Sequence, residues 1–480
     1  MTRFLPVLAA AFVGACALGP DFVPPAPPTA DTTPYGETGE ATPQQAKLGR
    51  KISRDWWTLF GSQDLNAVIA LALEHNQDLE AAKATLDQVQ HSAEAATGML
   101  YPQVGLHAGA QREKVNFTSY GMTFPPATLN LFSIGGTVSY ALDVFGHDHR
   151  LVESAEARAQ AEGYRLDGAY LTVTGTVVMN ALSAAALDGQ IATVTALIEE
   201  DQRQIELMAT ARQAGTLSDS DMAQAQAQLA TDRAKLPPLK SQLAAVRHTL
   251  AMLVGKTPGE WSPPDFHLSG FTLPAEIPLS LPSDLVRQRP DIMAAEAELH
   301  AASADVGVAE ANRFPRIVLS ADMTQWATLP GHLWQDAATG AGVGAGLTAP
   351  LFQGGRLAEE QKAAEAAYQA STARYRQTVL QSFAQVATVL QDLVNDQDEV
   401  KRTGEAVAAT QASHRFAKMR LDNGTMGILP VLDTQRQAQL SAMADIDART
   451  RYLKDGAQLF LSMGGGWTSS SDAQQVGSSQ

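Results

Sequence analysis

The sequence predicts an α+β membrane protein built as two tandem repeats, each joining membrane-length β-strands to a long α-helical hairpin. Three observations carry this: a repeat spanning most of the chain, segments with apolar residues at every second position, and much longer segments with helical spacing. The repeat is anchored on Pro102 and Pro315, where LYPQVGLHAGA from Leu100 matches FPRIVLSADM from Phe314. Upstream, NQDLEAAKATL aligns with RPDIMAAEAEL, placing Asp78 over Asp291 and Ala82 over Ala295. Downstream, SYALDVFG aligns with TAPLFQGG, and RQAGTLSDSDMAQAQAQL with LDNGTMGILPVLDTQRQAQL, Gly215 over Gly424.

Each repeat opens on a helix, and its strands follow. Val104, Leu106, Ala108 and Ala110 alternate with Gln103, Gly105, His107 and Gly109, and Ile134, Val138, Tyr140 and Leu142 continue the alternation. The second repeat shows the same pattern at Ile317, Leu319, Ala321 and Met323, then at Ala341, Val343, Ala345 and Leu347. Each segment of about 10–14 residues is long enough to cross a bilayer when tilted. Alone, each fits a soluble hairpin with one wet face equally well. Four strands cannot close a barrel, for which about eight are the minimum, so spanning requires pooled subunits; three chains would give twelve.

The helices follow. Val379, Phe383, Val386, Leu390 and Leu393 step as a heptad seam, and Ile292, Leu299 and Val306 are spaced by sevens. Breaker-free runs from about His147 to Arg212 and Arg356 to Leu421 would each extend about 100 Å. Gly215-Thr216 and Gly424-Thr425 read as turns that send the chain back. Pro237-Pro238 should kink or interrupt the returning helix of the first repeat only. Alanine-rich seams flanked by polar faces suit a hollow tube better than a solid bundle.

The N-terminus reads as an export signal: one arginine, an apolar run from Phe4 to Val13, then Gly14-Ala15. It is too short to span a bilayer, and no later stretch is expected to form a transmembrane helix. Cys16, the sole cysteine, follows the small residues; it is either a lipidation site or part of a discarded signal. A net charge of −16 without a Lys/Arg run excludes a nucleic-acid surface. His147-Asp148-His149 has no further ligand at metal spacing, no GxSxG, HExxH or P-loop pattern occurs, and no cofactor or catalysis is expected.

CALGPDFVPP, DWWTLFGSQDLNAVIALALEHNQDL, SYALDVFG, LPSDLVRQRPDIMAAEAELHAASADVGVAEANRFPRIVLSA, APLFQGGRL and LFLSMGGGW, in this order, resemble the TolC-like outer-membrane factors in their lipidated OprM/NodT-like branch. The resemblance covers nearly the whole mature chain. It implies a homotrimer with a twelve-stranded outer-membrane β-barrel, four strands per chain, continued by a long periplasmic α-helical barrel. It implies an exit duct of an efflux system, passively conducting drugs or other small molecules. The partners implied are a periplasmic adaptor, an inner-membrane pump of the resistance-nodulation-division type or similar, and outer-membrane lipid through Cys16.

The expected organisation is a signal peptide (1–15), a lipid-anchored strap and equatorial segment (16–60), and a periplasmic helix (61–100). Strands 1–2 (101–146), a long hairpin (147–255) and an equatorial linker (256–281) complete the first repeat. The second has a helix (282–313), strands 3–4 (314–353), a hairpin (354–463) and a C-terminal tail (464–480). Loops over Glu113–Leu131 and Thr324–Thr339 should face outward, with Phe117, Tyr120, Phe124, Trp326 and Trp334 either marking the membrane interface or forming loop cores.

The resemblance also implies a periplasmic gate at Leu429, Asp433 and Arg436, which share one helix face by spacing. Three copies of Asp433 would form an anionic ring, with Arg436 able to pair with it within or between chains. The first repeat carries Met222 and Ala225 at the aligned positions; Asp219 and Asp221 lie nearby as additional tip acids. A solvated helix start, where aspartates favour the dipole, is the plainer reading of all of these. A protein-secretion duct, or a lipid-anchored coiled-coil scaffold, would explain part of the same pattern.

Overall fold

The computed structural model describes residues 18–26, 46–48, 53–116, 121, 123, 125–274, 277–279 and 282–465. In chain order the elements are β1 (Ala46–Leu48), a 3-10 turn (Trp56–Phe60), α1 (Gln63–His75), α2 (Gln77–Thr97), β2 (Gln103–Val115), β3 (Ala127–Leu142), α3 (His147–Gln213) and α4 (Asp219–Leu253). There follow β4 (Ile277–Leu279), α5 (Pro282–Gln288), α6 (Pro290–Ala311), β5 (Arg316–Ala327), β6 (Thr339–Thr348), α7 (Arg356–Asp422) and α8 (Ile428–Ser462). Two compact units result, one from the described residues of 1–25, 85–162 and 294–376, the other from those of 26–84, 163–293 and 377–480.

The first unit holds an antiparallel sheet in the order β2-β3-β5-β6. Its register aligns Val104, Val138, Ala321 and Val343 in one row, and Leu106, Gly136, Met323 and Ala341 in the next. The intervening row is Gly105, Thr137, Asp322 and Gly342. Because side chains alternate across the pleat, one face is apolar and the other polar and glycine-rich through all four strands. Among the described residues β2 and β6 are each paired along one edge only. The strands reach further than expected: β2 runs to Val115 and β3 starts at Ala127, so both ends of the expected first loop are strand. Trp326 is likewise within β5, in the row of Ser133 and on the polar face, not in a loop marking the lipid interface. Trp334 is exposed between β5 and β6, while Phe117, Tyr120 and Phe124 lie outside the described residues.

The proline-rich strap is held from its first described residue. Leu18 N–H donates to the Phe145 carbonyl at 3.2 Å, just past β3. Arg150, in the first turn of α3, donates to the Leu18 and Gly19 carbonyls and to the Asp21 carboxylate at 2.7 Å. Phe22 stacks on His300, their ring centres 4.5 Å apart.

The second unit is helical. Its core gathers Trp56, Phe60, Leu65, Ile69, Val177, Leu182, Leu250, Val386, Leu390, Leu393 and Phe460 from α1, α3, α4, α7, α8 and the 3-10 turn. The α7 heptad positions from Phe383 to Leu393 therefore lie in or against this core. α3 and α7 each have 67 residues, α4 and α8 each 35, and every bound in the first hairpin precedes its counterpart by 209 positions. Pro237-Pro238 does not interrupt α4, whose 35 residues run through the pair as one helix. Two lost N–H donors are tolerated because the helix is fastened from outside, at Leu229 against Val194 and Ile198 and at Leu250 in the core. Contrary to the sequence expectation, part of α3 is long and apolar enough to cross a membrane by composition. Its Val173, Val177, Val178, Ala181 and Leu182 are instead buried in the helical core.

Candidate functional site at the hairpin ends

Both hairpins turn in the same way. Gly215 and Gly424 adopt φ of +75° and +70°, which glycine reaches without steric penalty. Gly215 N–H donates to Arg212 O and Thr216 N–H to Ala211 O; Gly424 and Thr425 repeat the pair on Leu421 O and Arg420 O. These are Schellman closures that satisfy the last helical carbonyls. The Thr216 and Thr425 hydroxyls bond those same Ala211 and Arg420 carbonyls, which explains the repeated Gly-Thr.

Past the turns the repeats diverge. Ser218 caps α4, its hydroxyl accepting from Asp221 N–H at 3.1 Å and donating to the Asp221 carboxylate at 2.8 Å. Asp219 lies 3.5 Å from Arg212 across the turn. Both acids are thus engaged at the start of their own helix. α8 starts from Gly427 with no side-chain cap.

The first turns of α8 bury one face and expose the other. Ile428 and Leu432 pack on Met208, Met222 and Ala225 of the first hairpin. Leu429 and Asp433 are exposed on the flank of that packed face, and Arg436 is half-buried. Asp433 and Arg436 form no ion pair with each other among the described residues, and the Arg436 charge instead acts on Asp201. With the 209-residue spacing, the first-repeat positions matching Asp433 and Arg436 are Gln224 and Ala227 rather than Met222 and Ala225. Met222 is buried against α8; in either alignment the first hairpin has no counterpart of the Asp–Arg pair.

Above the turns lies a buried polar cluster that the sequence did not reveal. Gln435 of α8 donates to Asp201 of α3 at 3.1 Å and accepts from Gln204 at 3.0 Å. Asp232 of α4 is fully buried and lies 2.7 Å from Lys235. Burial, then the neighbouring Asp232, pushes the Asp201 carboxyl up to about 6. Burial raises Glu200 too, but Lys418 of α7 and Arg203 outweigh it and hold Glu200 below its ordinary value. A second pair joins α7 and α8, where burial and then Asp455 push Asp396 up to about 7.

The model of the family described as outer membrane efflux protein matches residues 68–256 and 281–465. The chain belongs to the outer membrane efflux protein family. It is 29% identical to the pyoverdine export outer membrane protein OpmQ of Pseudomonas aeruginosa, over 90% of this chain and 93% of that one. It is 28% identical to the toluene efflux pump outer membrane protein TtgC of Pseudomonas putida, covering 97% and 96% respectively. Among solved structures, the outer-membrane channel OprN superposes with a TM-score of 0.87 at 26% identity, over 94% of this chain and all of that one. The open state of the Neisseria gonorrhoeae MtrE channel gives 0.83 at 22% identity over 94% and 99%, a likeness of fold.

The chain is therefore an outer-membrane efflux channel subunit, and its four-stranded sheet is the membrane-spanning part. His147-Asp148-His149 lies where β3 hands over to α3: His147 bonds Asp148 at 2.8 Å and His149 bonds Asp143 at 2.7 Å. No group able to hold a metal ion occurs among the described residues. Cys16 lies outside them, two positions before the anchored Leu18.

Proposed function

We propose that three copies of this chain close a twelve-stranded barrel and form a passive exit duct for small molecules, gated at its periplasmic end. The observation that carries this reading is the sheet: apolar on one face, polar on the other, and, among the described residues, without a partner along the outer edges of β2 and β6. Successive strands alternate in direction, so β6 of one copy is antiparallel to β2 of the next and three sheets close without an edge. The duct would receive its cargo from a periplasmic adaptor and an inner-membrane pump of the resistance-nodulation-division type or similar. The relatives named for pyoverdine export and toluene efflux support small molecules as cargo.

Lipid on Cys16 would add an anchor to the outer membrane. The fastening of Leu18 and Gly19 beside the foot of β3 supports it, because Cys16 is then kept within a few residues of the sheet. At the hairpin ends, Leu429 and Asp433 are exposed on the flank of the α8 face that packs on the first hairpin, available to meet their copies around a threefold axis. Three Asp433 carboxylates there would bind cations and resist opening, with Arg436 behind them and Asp219 and Asp221 adding negative charge nearby. Asp433→Ala should raise single-channel conductance in planar bilayers, with trimers intact. Unchanged conductance in intact trimers would remove Asp433 from the gate.

A further inference from the structure

Near the loop end of the sheet the two faces exchange character. On the face that carries Val104, Leu106 and Val138 lower down, the last rows hold Arg112 with Asn130 and Lys114 with Thr128. On the opposite face, polar below, the last rows bring in Leu131, Leu129 and Trp326. The outward change is what leaving a bilayer requires, since arginine and lysine belong at or beyond the headgroups. The inward change has no such cause. In a closed barrel it puts apolar and aromatic side chains on the wall of a water-filled mouth.

Trp326 is placed there as a flat surface. A side chain at Gly340 would collide with its indole, a Cβ coming within 3.2 Å of Cε3 and 3.4 Å of Cη2. The ring thus lies against the backbone of β6, which the glycine leaves bare. With one side covered by the strand, Trp326 remains 47% exposed, so its other side is open. Thr324, two residues earlier on the same face, leans the other way over Gly135 and is 3% exposed. Beside the indole the wall is low, because its row partner is Ser133 and the next residue in that row is Gly109.

The charge around this surface is negative. Asp322 lies four residues before Trp326 on the same face, its carboxylate over Gly342, and Glu113 shares a row with Leu129. The basic groups on that face are His107 and, at the foot of β5, Arg316, which is drawn to Asp148 at 3.5 Å.

We propose that Trp326, laid over Gly340 with Asp322 over the neighbouring Gly342 of the same strand, is a binding seat for planar aromatic cations on the inner wall of the duct's outer mouth. The seat rests on the closed-barrel reading, which makes the polar face the lumen. An indole face attracts a planar ring by stacking and a cation through its quadrupole, and a wet lumen with nearby carboxylates favours the same charge. A departing molecule of this class would pause at the mouth, whereas an aliphatic or anionic one would pass.

The test is current blockade in planar bilayers by ethidium, with tetraethylammonium and naphthalene sulfonate as non-planar and anionic controls. Ethidium should give resolved blockades that the controls do not. Trp326→Ala should shorten them about tenfold or more, the range expected for losing one stacking partner, while Trp326→Phe retains part of the dwell and open-channel conductance changes little. Equal dwell in wild type and Trp326→Ala would overturn the seat, as would blockades by tetraethylammonium with the same Trp326 dependence. A wild-type protein that forms no channel would overturn the barrel reading itself, and the seat with it.

Discussion

Asp201 and Asp232 show how a single pair of side chains can set a pH dependence. Burial and the facing carboxylate favour the protonated form of Asp201, so in the folded chain it titrates near 6 instead of its ordinary 3.8. Asp396 behaves alike beside Asp455, reaching about 7. The groups facing these acids are Arg436, Gln435 and Lys235 at the first pair and Arg451, Glu399 and Lys454 at the second. For an acid with a raised pKa the folded state holds the extra proton, so its share of stability is present below about pH 4. That share falls as pH rises through about 6 for Asp201 and about 7 for Asp396. The Asp201→Asn, Asp396→Asn double variant should therefore melt higher than wild type at pH 8 and nearer to it at pH 4.5. Thermal denaturation at the two values checks this, and parallel profiles would refute it. Neither pair was legible in the sequence, because each joins helices whose facing registers no local pattern encodes. Leu429, Asp433 and Arg436 came from the family resemblance, and helical spacing adds only that they share one face.

At the scale of elements, the repeat is carried by helix ends. Leu253 and Ser462, the last residues of α4 and α8, each lend a carbonyl to the start of a short helix in their own half. Asn76 Nδ2 donates to Leu253 O at 2.9 Å while its Oδ1 caps Asp78 and Leu79. Arg289 donates to Ser462 O at 2.5 Å while its fork grips Asp291, whose carboxylate accepts from Ile292 N–H. Gly255 and Gly464, at φ of +68° and +82°, bring the chain against the His75 and Gln288 carbonyls, where a side chain could not fit. The sequence alignment of NQD with RPD marked this place, but that the Asn76 amide and the Arg289 guanidinium do the same work shows only in their hydrogen bonds. Arg289→Ala should destabilise the fold by about 2–4 kcal/mol, since it leaves a buried carbonyl unpaired and breaks a charged contact. Arg289→Lys should recover part of that loss in thermal denaturation, as one donor can still reach. The elements themselves were readable because period two and period 3.5 are hard to confuse over such lengths. Strand ends were not: Glu113–Val115 and Ala127–Leu131 carry mixed character, because the sheet outruns its apolar band.

For the whole molecule, the sheet and the lipid proposed on Cys16 would make separate claims on the membrane. Because the sheet spans it, Cys16→Ser should still need detergent for extraction; release into buffer would favour a scaffold held by lipid alone. The family and its fold were visible in ordered motifs across the chain, since a duplicated architecture states its pattern twice. The position of Trp326 was not, because a residue assigned to a loop gives no sign of the sheet face it occupies. Equal hairpin lengths, 67 and 35 residues in each half, have a further bearing on how such a chain can change. A heptad added to one hairpin leaves a step of about 10 Å between its end and its neighbour's. Lengthening is therefore tolerated only as a matched edit in both halves, while charge at the ends can drift independently. Three chains would then offer an incoming ring six ends of one height and two alternating chemistries.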